Sequence, residues 1–217
     1  MLKMLGLARG ELVADWVGSC LAHRLEIRCP PIDIADVSID ALRTAPAEIQ
    51  KWARPGPAFA SREIVTAKSG LRDAEIVEGA GAEMLGAMYA LDTWLEVLDR
   101  RVAGVWNALL DTDSQEIYAI DFGKGLTPCL HKLIGHPIDT TRVQEANYGS
   151  AAKAAASKSS SLDTCARIEG LNRTELEEIC ISVPSAWIDE PTRAQVVEFL
   201  VGRQPGVRAV CSRLSGQ

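Results

Sequence analysis

The stretch VLDRRVAGVWNALLDTDSQEIYAIDFGKG, residues 97–125, decides how the fold of this chain is interpreted. Two short apolar runs within it, WNALL and EIYAI, flank the turn-forming segment DTDSQ. Apolar runs on both sides of a polar turn are typical of a β-hairpin. The two open ends of a hairpin lie side by side, so the residues that precede and follow it come close together in space.

Three oxygen-bearing side chains stand at or near those ends. Asp99 follows a predicted helix, Asn107 opens the hairpin, and Asp121 closes it in the sequence Asp-Phe-Gly. Phosphoryl transfer needs a carboxylate near the attacking hydroxyl and hard oxygen ligands for Mg²⁺. In protein-kinase-like sites an aspartate, a following asparagine and the aspartate of Asp-Phe-Gly take these roles. Gly123 is expected to permit the bend that directs Asp121 outward.

Each of these residues also has an ordinary structural interpretation. Asp121 can be a turn residue after a strand, and Asn107 can be a simple strand-start residue. Asp99 can end a helix at a charged surface, since two arginines follow it directly. The order of the three, rather than the Asp-Phe-Gly triplet alone, favours the phosphotransfer interpretation.

The rest of the chain predicts an α+β fold with a mostly helical second half. A helix is expected from Gly10 to about Ile27, where two prolines follow, and PIDIADV and AFASREIVTA are strand candidates. The segment KSGLRDAEIVEGAG is interpreted as a connection, and a long helix with an apolar seam that includes Leu98 should end near Asp99. Serines 157 and 159–161 are expected to form a flexible break, and Asp189 and Glu190 before Pro191 predict a helix start.

Composition excludes several classes of function. The chain has 217 residues and a formal net charge of −6, so no global positive field draws it to nucleic acid. No run of eighteen apolar residues predicts a membrane span. The six cysteines contain no Cys-x-x-Cys pair and the three histidines stand near no cysteine pair, so reduced thiols in a cytoplasmic protein are expected. His131 and His136 are not expected to share a metal ion.

Several segments, taken in order, resemble the HipA-like kinase family. These are ELVADWVGSCLAHRLEIRCPPIDIADV (11–37), RPGPAFASREI (54–64), YALDTWLEVLDRR (89–101), WNALL (106–110) and YAIDFGKGL (118–126). The resemblance runs from about residue 3 to residue 125. It implies a protein-kinase-like fold with a reduced N-terminal lobe over residues 1–78 and a helical C-terminal lobe over residues 79–217.

The resemblance also implies roles for individual residues. Lys3 occupies the position of the nucleotide-binding lysine, and Glu11 is a candidate partner for its ammonium group. Asp99 is the expected catalytic base, with Asn107 and Asp121 as magnesium ligands. The implied cofactors are ATP and Mg²⁺. A protein substrate is implied, with a small antitoxin-like protein as a candidate regulatory partner.

Two departures from the family pattern leave alternatives open. The interval from Asp99 to Asn107 is eight residues, whereas the usual catalytic loop has about five; the excess is expected to bulge outward around Gly104. No glycine-rich phosphate loop precedes Lys3, which suggests either a lost nucleotide lid or a start further upstream. An active kinase, a catalytically impaired kinase-fold binding module and a helical interaction protein without a site therefore remain as hypotheses.

Overall fold

The structure is a computed structural model that describes residues 2–4, 6, 9–79, 81–130, 139 and 141–215. Its helices are α1 (Arg9–Arg24), α2 (Ile39–Thr44), α3 (Ala47–Gln50), α4 (Asp73–Gly79), α5 (Gly81–Leu95), α6 (Thr127–Leu130), α7 (Gly149–Ala155), α8 (Lys158–Gly170), α9 (Arg173–Ile181) and α10 (Glu190–Cys211). Its strands are β1 (Leu2–Lys3), β2 (Ile32–Val37), β3 (Gly56–Ser61), β4 (Ala67–Lys68), β5 (Arg101–Val102), β6 (Val105–Trp106), β7 (Ala108–Asp111) and β8 (Ile117–Ala119). About half of the chain is helical, and the predicted α+β class is confirmed.

The first sheet is antiparallel with strand order β1-β3-β2 and brings the start of the chain into the fold. Lys3 lies opposite Phe59 of β3, and Ile34 of β2 lies opposite the same residue on the other side. A small apolar cluster covers the sheet together with α2 and α3; its buried members are Val37, Leu42, Ala53 and Ala58. Strand pairing with β3 therefore fixes the backbone of Lys3, although only two residues of β1 are paired.

The second sheet has the order β4-β7-β8 and contains the predicted hairpin. In its register Ala108 lies opposite Ala119 and Leu110 lies opposite Ile117, with the DTDSQ segment as the connection. The hairpin predicted from the two apolar runs is thus confirmed. A separate two-stranded ribbon, β5–β6, precedes it, with Val102 opposite Val105.

Two helices occupy the interior of the main core. Helix α1 is buried over most of its circumference, because small and apolar residues such as Ala14 and Gly18 alternate with Val13 and Val17. Helix α5 is continuously buried from Met88 to Leu95. It ends at Leu95, where Glu96 adopts a positive φ of 59°. The expectation that Leu98 belongs to the apolar seam is wrong, since Leu98 follows the helix and is exposed.

Capping residues correct two further expectations. Ser157 is the N-cap of α8 and accepts a hydrogen bond from the backbone N–H of Ser160, so these serines begin a helix rather than break the chain. The segment interpreted as a connection contains helix α4. The start signal at the C-terminal helix is confirmed, because the side chain of Asp189 caps α10 by accepting from the backbone N–H of Thr192.

The remaining general expectations concern thiols, histidines and membranes. All six cysteines are free thiols. His131 and His136 lie outside the described residues. Within the described part of the chain, every helix is too short or too polar to span a lipid bilayer.

Candidate functional site

The long interval between Asp99 and Asn107 is absorbed by the β5–β6 ribbon. The ribbon turns at Ala103 and Gly104, both with positive φ (50° and 78°), and the predicted outward bulge at Gly104 is present. At its base, Asn107 Nδ2 donates to the carbonyl oxygen of Asp99 at 2.8 Å, and Asn107 N donates to the carbonyl oxygen of Arg100 at 2.9 Å. The two residues are therefore neighbours in space despite the extra chain between them.

The amide oxygen of Asn107 remains available. A backbone carbonyl can only accept, so the nitrogen of the Asn107 amide must face Asp99 and its oxygen must face away. Within the described residues, no hydrogen bond uses that oxygen, and it is not buried. A neutral oxygen ligand is thus presented next to the Asp99 backbone.

Asp121 follows the hairpin in a left-handed backbone conformation, with φ 57°. Aspartate tolerates this region better than most residues do. The expectation that Gly123 supplies the bend needs correction, because the positive φ is at Asp121 itself. Gly123 instead allows the backbone to lie close to two carboxylates. A Cβ at this position would lie 3.2 Å from Asp15 Oδ2 and 3.4 Å from Asp121 Oδ1.

The ammonium group of Lys3 joins two carboxylates from different parts of the chain. Its Nζ donates to Asp15 Oδ2 of α1 and to Asp121 Oδ1, each at 2.7 Å. The Lys3 side chain is 14% exposed, so burial acts to lower its pKa. The two carboxylates outweigh burial and raise the pKa of Lys3 above its usual value, so the group stays protonated at neutral pH.

Asp15 is the buried partner of this lysine. Its side chain is only 1% exposed, and besides Lys3 it accepts a hydrogen bond from the backbone N–H of Phe122. Burial raises the pKa of Asp15 to about 6, although the Lys3 ammonium opposes the shift. At neutral pH Asp15 is therefore ionised, and it connects α1 to both Lys3 and the residue after Asp121.

The carboxyl group of Asp99 is half-buried and lies within electrostatic range of Asp121. Among the described residues, its Oδ1 atom is buried without a hydrogen-bond partner. Burial, followed by the negative charge of Asp121, raises the pKa of Asp99 above its ordinary value, while Arg100 and Lys124 oppose the shift. A buried carboxylate oxygen that lacks a protein partner is unusual, and such an atom can accept a hydrogen bond from water or from a ligand.

Glu11 does not contact Lys3. Its carboxylate pairs with the Lys124 ammonium, and Lys124 is about half exposed. The expectation that Glu11 partners Lys3 is thus corrected in favour of Asp15, which lies one helical turn further along α1. The pKa of Lys124 is raised, mainly by its hydrogen bond to Glu11 and to a smaller extent by the negative charges of Asp99 and Asp121.

Comparison with known proteins identifies the family to which this arrangement belongs. The family model described as HipA-like kinase matches residues 1–203. The chain belongs to the HipA-like kinase family. Comparison with curated proteins gives no match.

The fold of this HipA-like kinase family member is also that of a solved kinase. The crystal structure of the Helicobacter pylori proinflammatory kinase CtkA matches with a TM-score of 0.59 over 98% of this chain and 88% of that chain. The sequence identity is 13%, so the similarity concerns the fold alone. The predicted kinase-like fold is confirmed by the family match and this structural similarity together.

The donor set of this family member fits Mg²⁺ bound together with a nucleotide. Mg²⁺ usually takes one or two carboxylates from protein, and waters and phosphate oxygens complete its six ligands. Asp121 and the free oxygen of Asn107 are hard donors of this kind. The described residues contain no group of three or more His, Cys, Asp and Glu side chains arranged for a metal ion.

Asp15 is the site residue that sequence reasoning missed. Glu11 and Asp15 are four residues apart and lie on the same side of α1, so spacing alone does not distinguish them. The amino acids that surround each of these two carboxylates in the sequence do distinguish them. Asp15 stands in the run LVADWVG, where an isolated charge among apolar residues indicates a buried carboxylate with a specific partner.

Proposed function

We propose that the chain is an ATP- and Mg²⁺-dependent phosphotransferase that acts on a hydroxyl group of a protein. The observation that carries the proposal is the contact between Lys3 and Asp121, two residues separated by 118 positions. This contact places a cation beside the carboxylate of the Asp-Phe-Gly turn. Phosphoryl transfer is catalysed mainly by positioning and by electrostatic stabilisation, and these groups supply both.

Asn107 and Asp121 would hold Mg²⁺, which when bound neutralises charge on the phosphate oxygens. Asn107 is suited to this role because its amide nitrogen is already bonded to Asp99, which fixes the direction of its oxygen. Asp121 is 38% exposed, so its carboxylate is accessible from solvent. The Lys3 ammonium would contact phosphate oxygens while Asp15 keeps it in place.

Asp99 would accept the proton of the attacking hydroxyl group. Its raised pKa makes it a better proton acceptor than an ordinary aspartate while leaving it able to ionise. The Asp99 side chain is only partly buried, so a hydroxyl group can approach its carboxylate. Glu11 would contribute indirectly, by orienting Lys124 near the site.

We place the nucleotide between a reduced N-terminal lobe, residues 1–78, and a helical lobe, residues 79–217. Lys3 and Asp15 belong to the first segment, while Asp99, Asn107 and Asp121 belong to the second. Membership of the family supports a protein substrate, and a small antitoxin-like protein is the corresponding proposal for a regulatory partner.

Phosphate transfer from radiolabelled ATP to the chain itself or to a generic protein acceptor tests the proposal. Asp121→Asn should reduce the rate by at least about 100-fold, the order expected when one electrostatic stabiliser of the transition state is removed. Asp113→Asn is the matched control, because Asp113 is exposed in the turn of the same hairpin. Equal rates for Asp121→Asn and the unmodified protein would contradict the mechanism.

A catalytically impaired kinase-fold module is the second function, and the eight-residue interval between Asp99 and Asn107 is the observation that favours it. Thermal unfolding with ATP and Mg²⁺ separates the two. A ligand at 100 times its Kd stabilises the folded state by about 2.7 kcal/mol. A shift that disappears in Asp121→Asn supports a nucleotide site, whereas no shift together with no transfer supports a binding module.

A further inference from the structure

A fully buried arginine connects the elements that carry the proposed metal ligands. Arg100 directly follows Asp99 and is 0% exposed. Its guanidinium group forms two hydrogen bonds to the carboxylate of Asp92 in α5, at 2.8 and 2.9 Å. The Tyr148 hydroxyl donates to the same carboxylate at 2.6 Å, which also holds Asp92 in place.

The remaining donors of Arg100 reach both open ends of the hairpin. Nη1 donates to the carbonyl oxygen of Asn107 at 2.6 Å and also to the carbonyl oxygen of Ile120. One of these carbonyls belongs to a proposed metal ligand, and the other belongs to the residue directly before Asp121. The guanidinium carbon also lies 4.7 Å from the centre of the Phe122 ring, the residue directly after Asp121.

The hairpin itself holds its open end weakly. Strands β7 and β8 have four and three residues, and short two-stranded hairpins are marginally stable alone. Beyond the last paired residues, the only direct backbone link among the described residues is Ile120 N to Asn107 O, a long bond of 3.4 Å. A bond of this length contributes little, so the separation of the two ends depends on other contacts.

We propose that Arg100 is a positioning residue that sets the separation between Asn107 and Asp121, and through it the affinity of the site for a divalent cation. The inference rests on the proposed function for the identity of the metal ligands. A planar guanidinium can bond a carboxylate with one edge and two carbonyls with another. Lysine keeps the charge, but its three N–H donors on one nitrogen cannot reproduce the two bonds to Asp92 together with both carbonyl bonds.

The chain contains a matched control in a second buried arginine. Arg203 is also 0% exposed, is paired with Glu96 at 2.9 Å, and lies 4.6 Å from the centre of the Phe199 ring. It donates to backbone carbonyls, including those of Thr93 and Trp94, but to neither end of the hairpin. Arg100→Lys and Arg203→Lys therefore remove similar buried interactions at different places.

The experiment compares the two variants in three measurements on the full chain. The first is the Mg²⁺ concentration for half-maximal phosphate transfer at saturating ATP. The second is Mn²⁺ binding in the presence of ATP, which does not require turnover. The third is amide hydrogen exchange in peptides that cover residues 105–109 and 118–122.

Arg100→Lys should weaken metal binding by about 10- to 100-fold, the usual effect of removing a group that orients metal ligands. It should also speed exchange at Asn107 and Ile120. Arg203→Lys should lower thermal stability without either effect. The positioning role is wrong if Arg100→Lys has the same half-maximal Mg²⁺ concentration and the same exchange rates as the unmodified protein. It is also wrong if Arg203→Lys changes both quantities as much as Arg100→Lys does.

The outcomes distinguish this inference from the proposed function. If the unmodified protein neither transfers phosphate nor binds Mn²⁺ with ATP, the proposed function fails and the metal part of the inference falls with it. Faster exchange confined to Arg100→Lys would still support control of the hairpin ends by Arg100. If Arg100→Lys does not fold, Asp92→Asn tests the same link, since it removes the anchor of the guanidinium and leaves both carbonyl contacts.

Discussion

Gly18 of helix α1 lies directly against Phe122 of the Asp-Phe-Gly turn. A Cβ at Gly18 would come within 2.6 Å of both Cβ and Cγ of the phenylalanine. Helix α1 and the Asp-Phe-Gly turn are thus in direct contact at Gly18, and a larger residue at this position would push them apart. This contact seats Phe122 close to Asp15, whose carboxylate accepts from the Phe122 backbone N–H.

Gly18→Ala should destabilise the protein by about 1–3 kcal/mol, the usual cost of overpacking a close contact. The loss should appear although alanine favours helices over glycine by about 1 kcal/mol. Urea unfolding measures it. Gly170→Ala, in the last turn of α8 with no atom within 4 Å of the added carbon, should be neutral or stabilising. Equal stability of Gly18→Ala and the unmodified protein would show that the turn moves freely.

Lys3→Met should lower the free energy of unfolding by about 3 kcal/mol at pH 7.5, because it leaves the charge of Asp15 buried without its cation. Without Lys3, the pKa of Asp15 rises further above its present value of about 6. A carboxyl group with a raised folded-state pKa contributes stability at low pH and loses it as the pH rises through that pKa. Chemical unfolding at pH 5 and pH 7.5 should therefore show a smaller defect at pH 5.

The double variant Lys3→Met/Asp15→Asn supplies the control for that prediction. It should recover most of the stability at pH 7.5 because no unpaired buried charge remains at position 15. It should not recover phosphate transfer, since the cation proposed to contact the phosphates is absent. A defect in Lys3→Met that is equal at both pH values would argue against a buried ionised Asp15.

The pH dependence of nucleotide binding should report on Asp15. The pKa of Asp15 is about 6, so below this pH its carboxyl group becomes protonated and Lys3 loses an anchor. KM for ATP should therefore increase as the pH falls through about 6, and the increase should be absent in Asp15→Asn. The pKa of Asp99 is also raised, and its protonation should lower kcat instead. An acid limb in KM that persists in Asp15→Asn would assign it to another group.

Glu11→Gln and Asp15→Asn should differ in their effect on ATP affinity. The Glu11–Lys124 pair is largely exposed, and such pairs contribute at most about 1 kcal/mol, so Glu11→Gln should change the affinity by less than about fivefold. Asp15→Asn removes a buried partner of Lys3 and should weaken ATP binding more. Isothermal titration with ATP and Mg²⁺ measures both variants. A larger effect at Glu11 would restore it as the functional carboxylate of α1.

The parts of the site that follow from local sequence were predicted well. The hairpin is specified by two apolar runs and a turn, all within fifteen residues, and its pairing brings the two ends to the same edge of the sheet. The outward bulge at Gly104 follows from the tolerance of glycine for positive φ. The start of α10 follows from an aspartate directly before a Glu-Pro pair.

What sequence did not reveal depends on long-range contacts. Lys3 contacts Asp15 rather than Glu11 because of the position of the strand that carries it. In that strand Lys3 pairs with Phe59, which lies 56 positions later in the chain. Helix α4 was missed because its polar residues are engaged by distant partners: Asp73 bonds both Arg101 and Trp106. Ser157 caps a helix whose start packs against Gly86 of α5, where a Cβ would lie 2.2 Å from the Ser157 carbonyl oxygen.

The β5–β6 ribbon leaves and rejoins the main fold at adjacent points, so its length is independent of the separation between Asp99 and Asn107. Searches that demand a fixed gap between these two residues would overlook chains built this way. The same independence makes the ribbon tip a suitable attachment point for a fluorescent reporter, because a label there would leave the contact between Asp99 and Asn107 in place.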